Sequence, residues 1–199
     1  MIYLNDHIDE LDIAVALQQV SPQRAAYALR YRHELDQRLS LAVFLLLQQA
    51  LREEYGMREV PEFAYEPNGK PYLKKHPEIH FNLSHCSRAA MCVVADHPVG
   101  CDIEAVPDEL DMEFCRYCFS DEEVAAILAS YTPTITFTTL WTQKEALLKL
   151  TGIGLSDMSQ LSTFHLSPFT SHLSPFTFHL SPPHVSPDRS YVYTVCSNA

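Results

Sequence analysis

The feature that most constrains the fold is an apolar stripe in the first half of the chain. Between residues 35 and 50, apolar side chains recur at a period of 3.6 residues: Leu35, Leu39, Val43, Leu46, Leu47 and Ala50. This spacing places them on one face of a helix, and that face must be buried against another layer of the protein. The longest wholly apolar run, Leu41–Leu47, is far shorter than the roughly 20 residues of a membrane span. The stripe therefore predicts a core helix of a globular protein.

Several short segments elsewhere have the composition of strands. Ile79–Ser84 alternates apolar with polar side chains, so Asn82 and Ser84 share one face. Four further segments are rich in β-branched or aromatic residues or are bounded by turn residues: Met1–Leu4, Ala89–Ala95, Val99–Glu104 and Tyr191–Cys196. The Pro, Asn and Gly residues of Glu66–Pro71 predict a turn.

Helix signals are interspersed with these strands. Ser21 precedes Pro22 as an N-cap precedes a first-turn proline, and Ser120 and Glu123 have the spacing of a capping box. A further helix is predicted from about Thr139 to Leu150, ending at Gly152. Because strands and helices are mixed without strict alternation, the predicted class is α+β.

A repeat occupies much of the C-terminal region. The sequence His-Leu-Ser-Pro begins at residues 165, 172 and 179, and five of the 13 prolines lie between Pro168 and Pro187. A proline in every repeat excludes a coiled coil despite the seven-residue period. We expect residues 163–188 to form a Pro-rich loop or tail in extended conformations, with order returning at Tyr191.

Charge and cysteine content narrow the functional classes. The formal net charge is −11, and residues 101–199 contain four Lys and Arg against 12 Asp and Glu. This argues against nucleic-acid and anionic-membrane binding. The N-terminus has no basic region followed by an apolar one, so we expect a cytoplasmic protein with reduced thiols. Cys115 and Cys118 are then packed positions on a short helix, with a redox or zinc site as the alternative.

Two carboxylates lie close together near the end of a predicted strand. Asp102 and Glu104 are two residues apart, so both project from the same face. Neighbouring carboxylates repel each other unless a cation lies between them, and Mg²⁺ prefers such oxygen ligands. The alternative is a solvated polar face of the strand.

The helix predicted over residues 139–150 adds charged groups. Lys144 lies within its apolar arc, where a lysine must extend to solvent or meet a buried anion. Glu145 and Lys149 have the spacing of an ordinary surface ion pair, but Glu145 could also complete the Asp102 and Glu104 site. By itself, His85 is better explained as a packed or capping residue than as a catalytic one.

Taken together, these segments resemble the 4′-phosphopantetheinyl transferases of the Sfp type. The motifs occur in the family's order: Ser21-Pro-Gln-Arg24, Gly69-Lys-Pro71, Phe81-Asn-Leu-Ser-His85, Gly100-Cys-Asp-Ile-Glu104, Phe119-Ser-Asp-Glu-Glu123, Trp141-Thr-Gln-Lys-Glu-Ala-Leu-Leu-Lys149 and Gly152-Ile-Gly-Leu155. The resemblance covers roughly residues 21–155 and the last predicted strand. Its most specific part is the Gly-x-Asp-x-Glu segment followed some forty residues later by Trp-x-x-Lys-Glu-x-x-x-Lys.

The resemblance implies an architecture and a reaction. It implies two α/β halves related by a pseudo-twofold axis, residues 1–97 and residues 98–199, with the active site in the cleft between them. The implied reaction transfers 4′-phosphopantetheine from coenzyme A to a serine hydroxyl of an apo acyl or peptidyl carrier protein. It depends on Mg²⁺ and releases 3′,5′-ADP. A single chain holding both halves is expected to be a monomer.

The resemblance also implies roles for individual residues. The implied Mg²⁺ ligands are Asp102, Glu104 and Glu145. Lys144 and Lys149 would face the pyrophosphate, and Glu145 and Lys149 would act in catalysis, Glu145 taking the serine proton through a water. The other residues implied to bind coenzyme A are His85, at the ribose 3′-phosphate, together with Arg24, Lys70 and Ser84.

The chain departs from the family pattern at Tyr27, where relatives often carry a second basic residue, and at Cys86 and Cys101. A competing hypothesis is a non-catalytic module of the same fold that binds coenzyme A or a carrier protein. A third is another Mg²⁺-dependent phosphate-transfer or hydrolytic enzyme, although no residue that would activate its nucleophile is evident in the sequence. Intact Asp102, Glu104, Glu145 and Lys149 favour the enzyme.

Overall fold

A computed structural model of the chain describes residues 1–152 and 178–198. The helices are α1 (Ile13–Gln18), α2 (Pro22–Ala28), α3 (Glu34–Tyr55), α4 (Met112–Cys118), α5 (Asp121–Ala129) and α6 (Pro133–Thr151), with a short 3-10 helix at Ile8–Glu10. The strands are β1 (Ile2–Asn5), β2 (Phe63–Tyr65), β3 (Pro71–Leu73), β4 (His80–His85), β5 (Ala90–Ala95), β6 (Val99–Ala105), β7 (Phe178–Leu180), β8 (His184–Val185) and β9 (Tyr191–Asn198). In these two ranges, no helix is long and apolar enough to cross a membrane.

The first sheet is three-stranded and antiparallel, in the order β1-β5-β4. Helix α3 lies against it, and its stripe from Leu39 to Leu51 forms a core with Phe81, Cys92 and Val94 of the sheet. The predicted core helix is therefore confirmed, and it continues beyond the stripe until Gly56 ends it in a left-handed conformation. The Ser21 cap is also confirmed, since its side chain accepts a hydrogen bond from the Arg24 backbone amide.

The second sheet has the order β6-β9-β7, with β8 also paired to β9. Helix α6 lies directly on β6 and β9. Contact is closest at Gly100, where an added Cβ would lie 2.1 Å from the Ala146 carbonyl oxygen. Helix α6 begins at Pro133, six residues before the predicted start at Thr139, because a first-turn proline and tertiary packing outweigh the low helix propensity of its many threonines.

The two sheets meet where β4 runs beside β6. The side-chain oxygen of Asn82 accepts a hydrogen bond of 2.9 Å from the Cys101 backbone amide, and Ser84 accepts one of 3.4 Å from the Ile103 amide. The polar face of β4 thus binds the neighbouring strand of the other sheet. The α+β class is confirmed, while the pseudo-twofold relation and the division between residues 97 and 98 stay predictions.

One part of the predicted C-terminal loop is wrong. Residues 178–180 and 184–185 form β7 and β8 on the last strand, instead of belonging to a loop that ends near residue 188. Leu180 packs beside Leu147 of α6, and Pro182 and Pro183 fall between the two strands, where they interrupt no ladder. The first two His-Leu-Ser-Pro repeats lie outside the described residues.

Cys115 and Cys118 confirm the packing interpretation of the Cys-x-x-Cys segment. Both are buried on α4, where they form a core with Phe119, Ile127 and Leu140. All six cysteines are free thiols, and burial raises the pKa of both Cys115 and Cys118. Thiols held in the protonated form in an apolar core act as small apolar side chains.

Candidate active site at the junction of the two sheets

Asp102 is the centre of a polar cluster that joins three elements. It lies in β6 with 2% of its surface exposed. Its Oδ1 accepts a hydrogen bond of 2.8 Å from Ser84 of β4 and one of 2.6 Å from the Lys149 ammonium of α6. Lys149 also donates to the Ser84 hydroxyl at 2.9 Å. The strand alternation that buries Cys101 and Ile103 on the opposite face is what aims Asp102 at the cluster.

The second oxygen of the same carboxylate has no protein partner. Asp102 Oδ2 is buried, and no hydrogen-bond donor lies within reach among the described residues. A buried carboxylate oxygen without a donor is costly, so such an atom in a folded protein calls for an explanation. A bound cation would supply the missing positive charge.

Glu104 and Glu145 flank Asp102 and are less deeply buried. Burial and the negative charge of Asp102 raise the pKa of Glu104 to about 7, against the opposing effects of Lys149 and a hydrogen bond from Trp141. Burial and Asp102 also raise the pKa of Glu145. Burial alone would lower the pKa of Lys149, but Asp102, with smaller contributions from Cys101 and Glu145, outweighs burial, so the net shift of this pKa is upward. The site therefore carries an excess of negative charge.

This charge excess predicts a pH-dependent stability in the absence of divalent metal. Because the pKa of Glu104 is higher in the folded protein, the unfolded chain loses its proton first as pH rises from 4.5 to 7, and stability falls over that interval. We expect Glu104→Gln to relieve this loss and to be about 2 kcal/mol more stable than the wild type at pH 8 and no more stable at pH 4. Urea unfolding in EDTA at several pH values measures the difference. Glu109→Gln, at an exposed position, is the control, and parallel curves for wild type and Glu104→Gln would contradict the expectation.

The donors suit a hard cation, although they do not yet form a closed site. In residues 1–152 and 178–198, no three His, Cys, Asp or Glu side chains are arranged to hold a metal ion as they stand. The Lys149 ammonium lies against Asp102 Oδ1 and supplies part of the compensating charge. Three neighbouring carboxylates and the unpaired Asp102 Oδ2 nevertheless fit Mg²⁺, which takes one or two carboxylates along with substrate oxygens and water.

His85 and Arg24 lie on the N-terminal side of this cluster. His85 is the last residue of β4 and is exposed. Desolvation by the surrounding protein nevertheless lowers the pKa of its imidazole ring, and the positive charges of Lys149 and Arg24 lower this pKa further. The Arg24 guanidinium donates to the backbone carbonyl and the hydroxyl of Ser40 and stacks 4.8 Å from the centre of the Tyr27 ring. One region of the site thus contains three cationic or titratable groups close enough to affect one another: His85, Arg24 and Lys149.

Lys70 binds backbone groups instead of joining the cluster. From the turn between β2 and β3, its ammonium donates to the Leu150 carbonyl at 3.0 Å and lies 3.4 Å from the Val99 carbonyl. Burial lowers the pKa of this lysine. Lys70 therefore caps the end of α6 from the other half of the chain, at the carbonyl of Leu150, the residue that follows Lys149.

Lys144 does not lie among these residues, unlike the placement that the resemblance implies. Its side chain has no exposed surface, and its ammonium lies 2.8 Å from Glu123 Oε2 and 2.9 Å from the Cys118 carbonyl oxygen. The physical reason is its position within the apolar arc of α6, which turns it toward α4 and α5. The sequence analysis left two possibilities for Lys144, extension to solvent or contact with a buried anion. The structure shows the second, with Glu123 as the anion.

Comparison with known proteins identifies the family. Residues 98–196 match the 4′-phosphopantetheinyl transferase superfamily, and residues 9–98 match the N-terminal region of 4′-phosphopantetheinyl transferases. The 4′-phosphopantetheinyl transferase psf-1 of Bacillus pumilus is 33% identical over 171 residues, 82% of this chain and 70% of that protein. The chain belongs to the 4′-phosphopantetheinyl transferase family. It is a transferase of this type.

Other 4′-phosphopantetheinyl transferases support the Sfp-type assignment. The Sfp protein of Bacillus subtilis strain 168 is 28% identical over 158 residues, which are 78% of this chain and 70% of that protein. A second 4′-phosphopantetheinyl transferase of Bacillus subtilis is 33% identical over 141 residues, 69% of this chain and 62% of its own length. The resemblance predicted from the sequence motifs is thereby confirmed.

Sequence reasoning did not assign Asn82 to the site, although the structure gives it a role in this transferase. Its bond to the Cys101 amide holds β6 beside β4 one residue before Asp102. The signal that could have found it is the shared strand face of Asn82 and Ser84, two polar side chains that would otherwise be buried without partners.

Proposed function

We propose that this chain transfers the 4′-phosphopantetheine group of coenzyme A to a serine hydroxyl of an apo acyl or peptidyl carrier protein. Mg²⁺ is required, and 3′,5′-ADP is released. The observation that carries the proposal is the Asp102 cluster, in which a buried carboxylate with one unpaired oxygen meets a lysine ammonium beside two further carboxylates. The names of its relatives supply the group that is transferred.

Substrate binding is assigned to the cationic side of the site. Lys149 remains protonated because Asp102 raises its pKa, so it provides a fixed positive charge for the pyrophosphate of coenzyme A. His85 would bind the ribose 3′-phosphate, and Arg24, Ser84 and Lys70 would bind other groups of coenzyme A. Ser84 accepts a hydrogen bond from Lys149, and Lys70 lies at the end of α6. An acidic protein can bind this anionic substrate because the local charges, not the net charge, determine the electric field at the site.

Mg²⁺ would be held by Asp102, Glu104 and Glu145. When bound, it would neutralise charge that develops on the pyrophosphate oxygens during transfer. The unpaired Asp102 Oδ2 is the ligand atom best supported, because it is buried and no donor reaches it among the described residues. Removing a proton from Glu104, whose pKa lies near 7, would accompany metal binding.

The chemical step is a displacement at phosphorus. The serine oxygen of the carrier forms a bond to the phosphorus that bears the pantetheine, and the bond from this phosphorus to the bridging oxygen breaks, so that 3′,5′-ADP leaves. Glu145 takes the serine proton through a water, and its raised pKa makes it a stronger base than an ordinary glutamate. Lys149 stabilises the charge that appears on the leaving phosphate.

The proposal predicts that coenzyme A is consumed only when an apo carrier is present. Chromatography of the reaction should show one 3′,5′-ADP released per carrier modified, with none released when the carrier's acceptor serine is replaced by alanine. Release without a carrier would instead indicate a hydrolytic enzyme, and coenzyme A binding without release would indicate a binding module. The cytoplasmic location and the monomeric state stay predictions from the sequence.

A further inference from the structure

We propose that Lys144 is a positioning residue, which sets the orientation of α6 and so directs Glu145 and Lys149 toward Asp102. This inference rests on the proposed function of those two residues. It replaces the expected role of Lys144 in binding the pyrophosphate. The Lys144 side chain has no exposed surface with which to reach this group. Three sets of contacts carry it.

The first set surrounds the Lys144 ammonium with the connection between α4 and α5. The ammonium donates to the carbonyl of Cys118, the last residue of α4, and to Glu123 in the first turn of α5. It also lies 4.6 Å from the centre of the Phe119 ring. Contacts to three residues within a span of six confine the nitrogen to one position, and therefore confine the turn of α6 that carries it.

The second set fixes the anion that receives this lysine. Glu123 Oε2 accepts a hydrogen bond of 2.8 Å from the Ser120 amide, and the Ser120 hydroxyl accepts one of 3.2 Å from the Glu123 amide. This capping box predicted from the sequence is confirmed, and it holds the Glu123 carboxylate in place before any contact with α6 is considered. The lysine thus meets a partner that is already oriented.

The third set holds α6 from another side. The Thr142 hydroxyl forms a hydrogen bond of 2.9 Å with the Thr194 hydroxyl of β9, and both residues are fully buried. With Thr142 bound to the sheet and Lys144 bound to α4 and α5, the helix cannot rotate about its axis without breaking one of these contacts. Glu145, the next residue, and Lys149, one turn later, then face Asp102.

A buried ion pair is better suited to fixing the orientation of a helix than to stabilising the fold. Desolvation cancels much of the attraction between two buried charges, whereas removing only one partner leaves an uncompensated charge and is strongly destabilising. Such a pair is best attested as a device that fixes a register. Replacing both charges together is therefore the informative experiment.

The test compares Lys144→Met with the double variant Lys144→Met/Glu123→Gln. Glutamine at 123 still accepts the hydrogen bond from the Ser120 amide, so the double variant keeps the capping box and removes both charges of the Lys144–Glu123 pair together. Both proteins are assayed well below their melting temperatures with coenzyme A, Mg²⁺ and an apo acyl carrier protein. Trp141, the only tryptophan in the chain, lies on α6 beside Phe114 and Phe137, and its emission reports the packing of this helix.

We expect Lys144→Met to lower kcat at least 30-fold and to raise KM for coenzyme A, because both Glu145 and Lys149 lose their orientation, and to shift the Trp141 emission to the red. The double variant should recover kcat to within about fivefold and restore the emission. A double variant that folds but stays as inactive as the single would show that Lys144 does not act through its pair with Glu123 and would overturn the proposal. Unchanged kcat in folded Lys144→Met would overturn it too, as would a double variant that does not fold.

These outcomes are distinct from failure of the proposed function. If the wild type transfers nothing to any carrier, that function fails, whereas the Trp141 emission of the two variants still decides whether Lys144 orients α6. A red shift in the single variant that is reversed in the double supports the orientation; emission unchanged in the single, or still shifted in the double, contradicts it.

Discussion

Replacing Asp102 with asparagine is expected to lower kcat/KM for transfer about 1000-fold. Asparagine has nearly the same shape, so the backbone of β6 and the hydrogen bond from Ser84 can persist. The substitution removes the negative charge that holds the Lys149 ammonium 2.6 Å from Asp102 Oδ1. It also removes the carboxylate oxygen Oδ2 that would bind a cation. Without the negative charge, Lys149 loses the main attraction that offsets its burial, and the proposed metal site would lose its most buried ligand.

Asp96→Asn is the matched control for this substitution. Asp96 carries the same carboxylate six residues before Asp102, but its side chain is 92% exposed. Among the ion pairs of the described residues, it pairs only with its neighbour His97. Its replacement should leave kcat/KM within about twofold of the wild type. Circular dichroism melts of both variants separate loss of fold from loss of activity. A folded Asp102→Asn variant with at least a tenth of wild-type activity would contradict the role assigned to this carboxylate.

Gly100→Ala is expected to destabilise the fold strongly, lowering the free energy of unfolding by about 3–5 kcal/mol. The new Cβ would lie 2.1 Å from the Ala146 carbonyl oxygen and 2.4 Å from the Leu150 amide nitrogen. Both obstructing atoms belong to the backbone of α6, so no side-chain rotation can relieve the clash. The helix would have to move away from β6, and it carries Glu145 and Lys149 with it.

Gly56→Ala provides the contrast, because an added Cβ at that position meets nothing within 4 Å. Its cost arises only from the left-handed backbone at φ 66°, and should be about 1 kcal/mol. Urea unfolding of the two variants measures the difference. Equal losses in the two would show that α6 can move off β6 without penalty and would contradict the tight packing described for this helix.

The parts of the fold that the sequence predicted are those governed by local patterns. The stripe from Leu35 to Ala50 determines α3 because the burial of one helical face depends on spacing alone. Alternation in Val99–Glu104 likewise predicts that Asp102 and Glu104 leave the strand on the side opposite Cys101. Local capping chemistry at Ser21 and Ser120 was sufficient to predict two helix starts.

The parts that failed depend on contacts distant in sequence. Lys144 meets Glu123, 21 residues away, and nothing in the spacing of α6 distinguishes that buried anion from a substrate phosphate. Strand β7 pairs with β9, a partnership that the Pro-rich repeat around it conceals. Lys70 bonds to the carbonyl of Leu150 across 80 residues, so its place at the end of α6 also became visible only in the folded chain.

The most direct test of the proposed transfer is intact-mass spectrometry of an apo acyl carrier protein incubated with this protein, coenzyme A and Mg²⁺. We predict that the carrier gains the mass of one phosphopantetheine with the wild type. The same reaction should give no gain in EDTA, and far less product with Asp102→Asn. A gain that persists undiminished in EDTA would contradict the metal site. No gain with any acyl or peptidyl carrier, from protein that binds coenzyme A, would contradict the transfer itself.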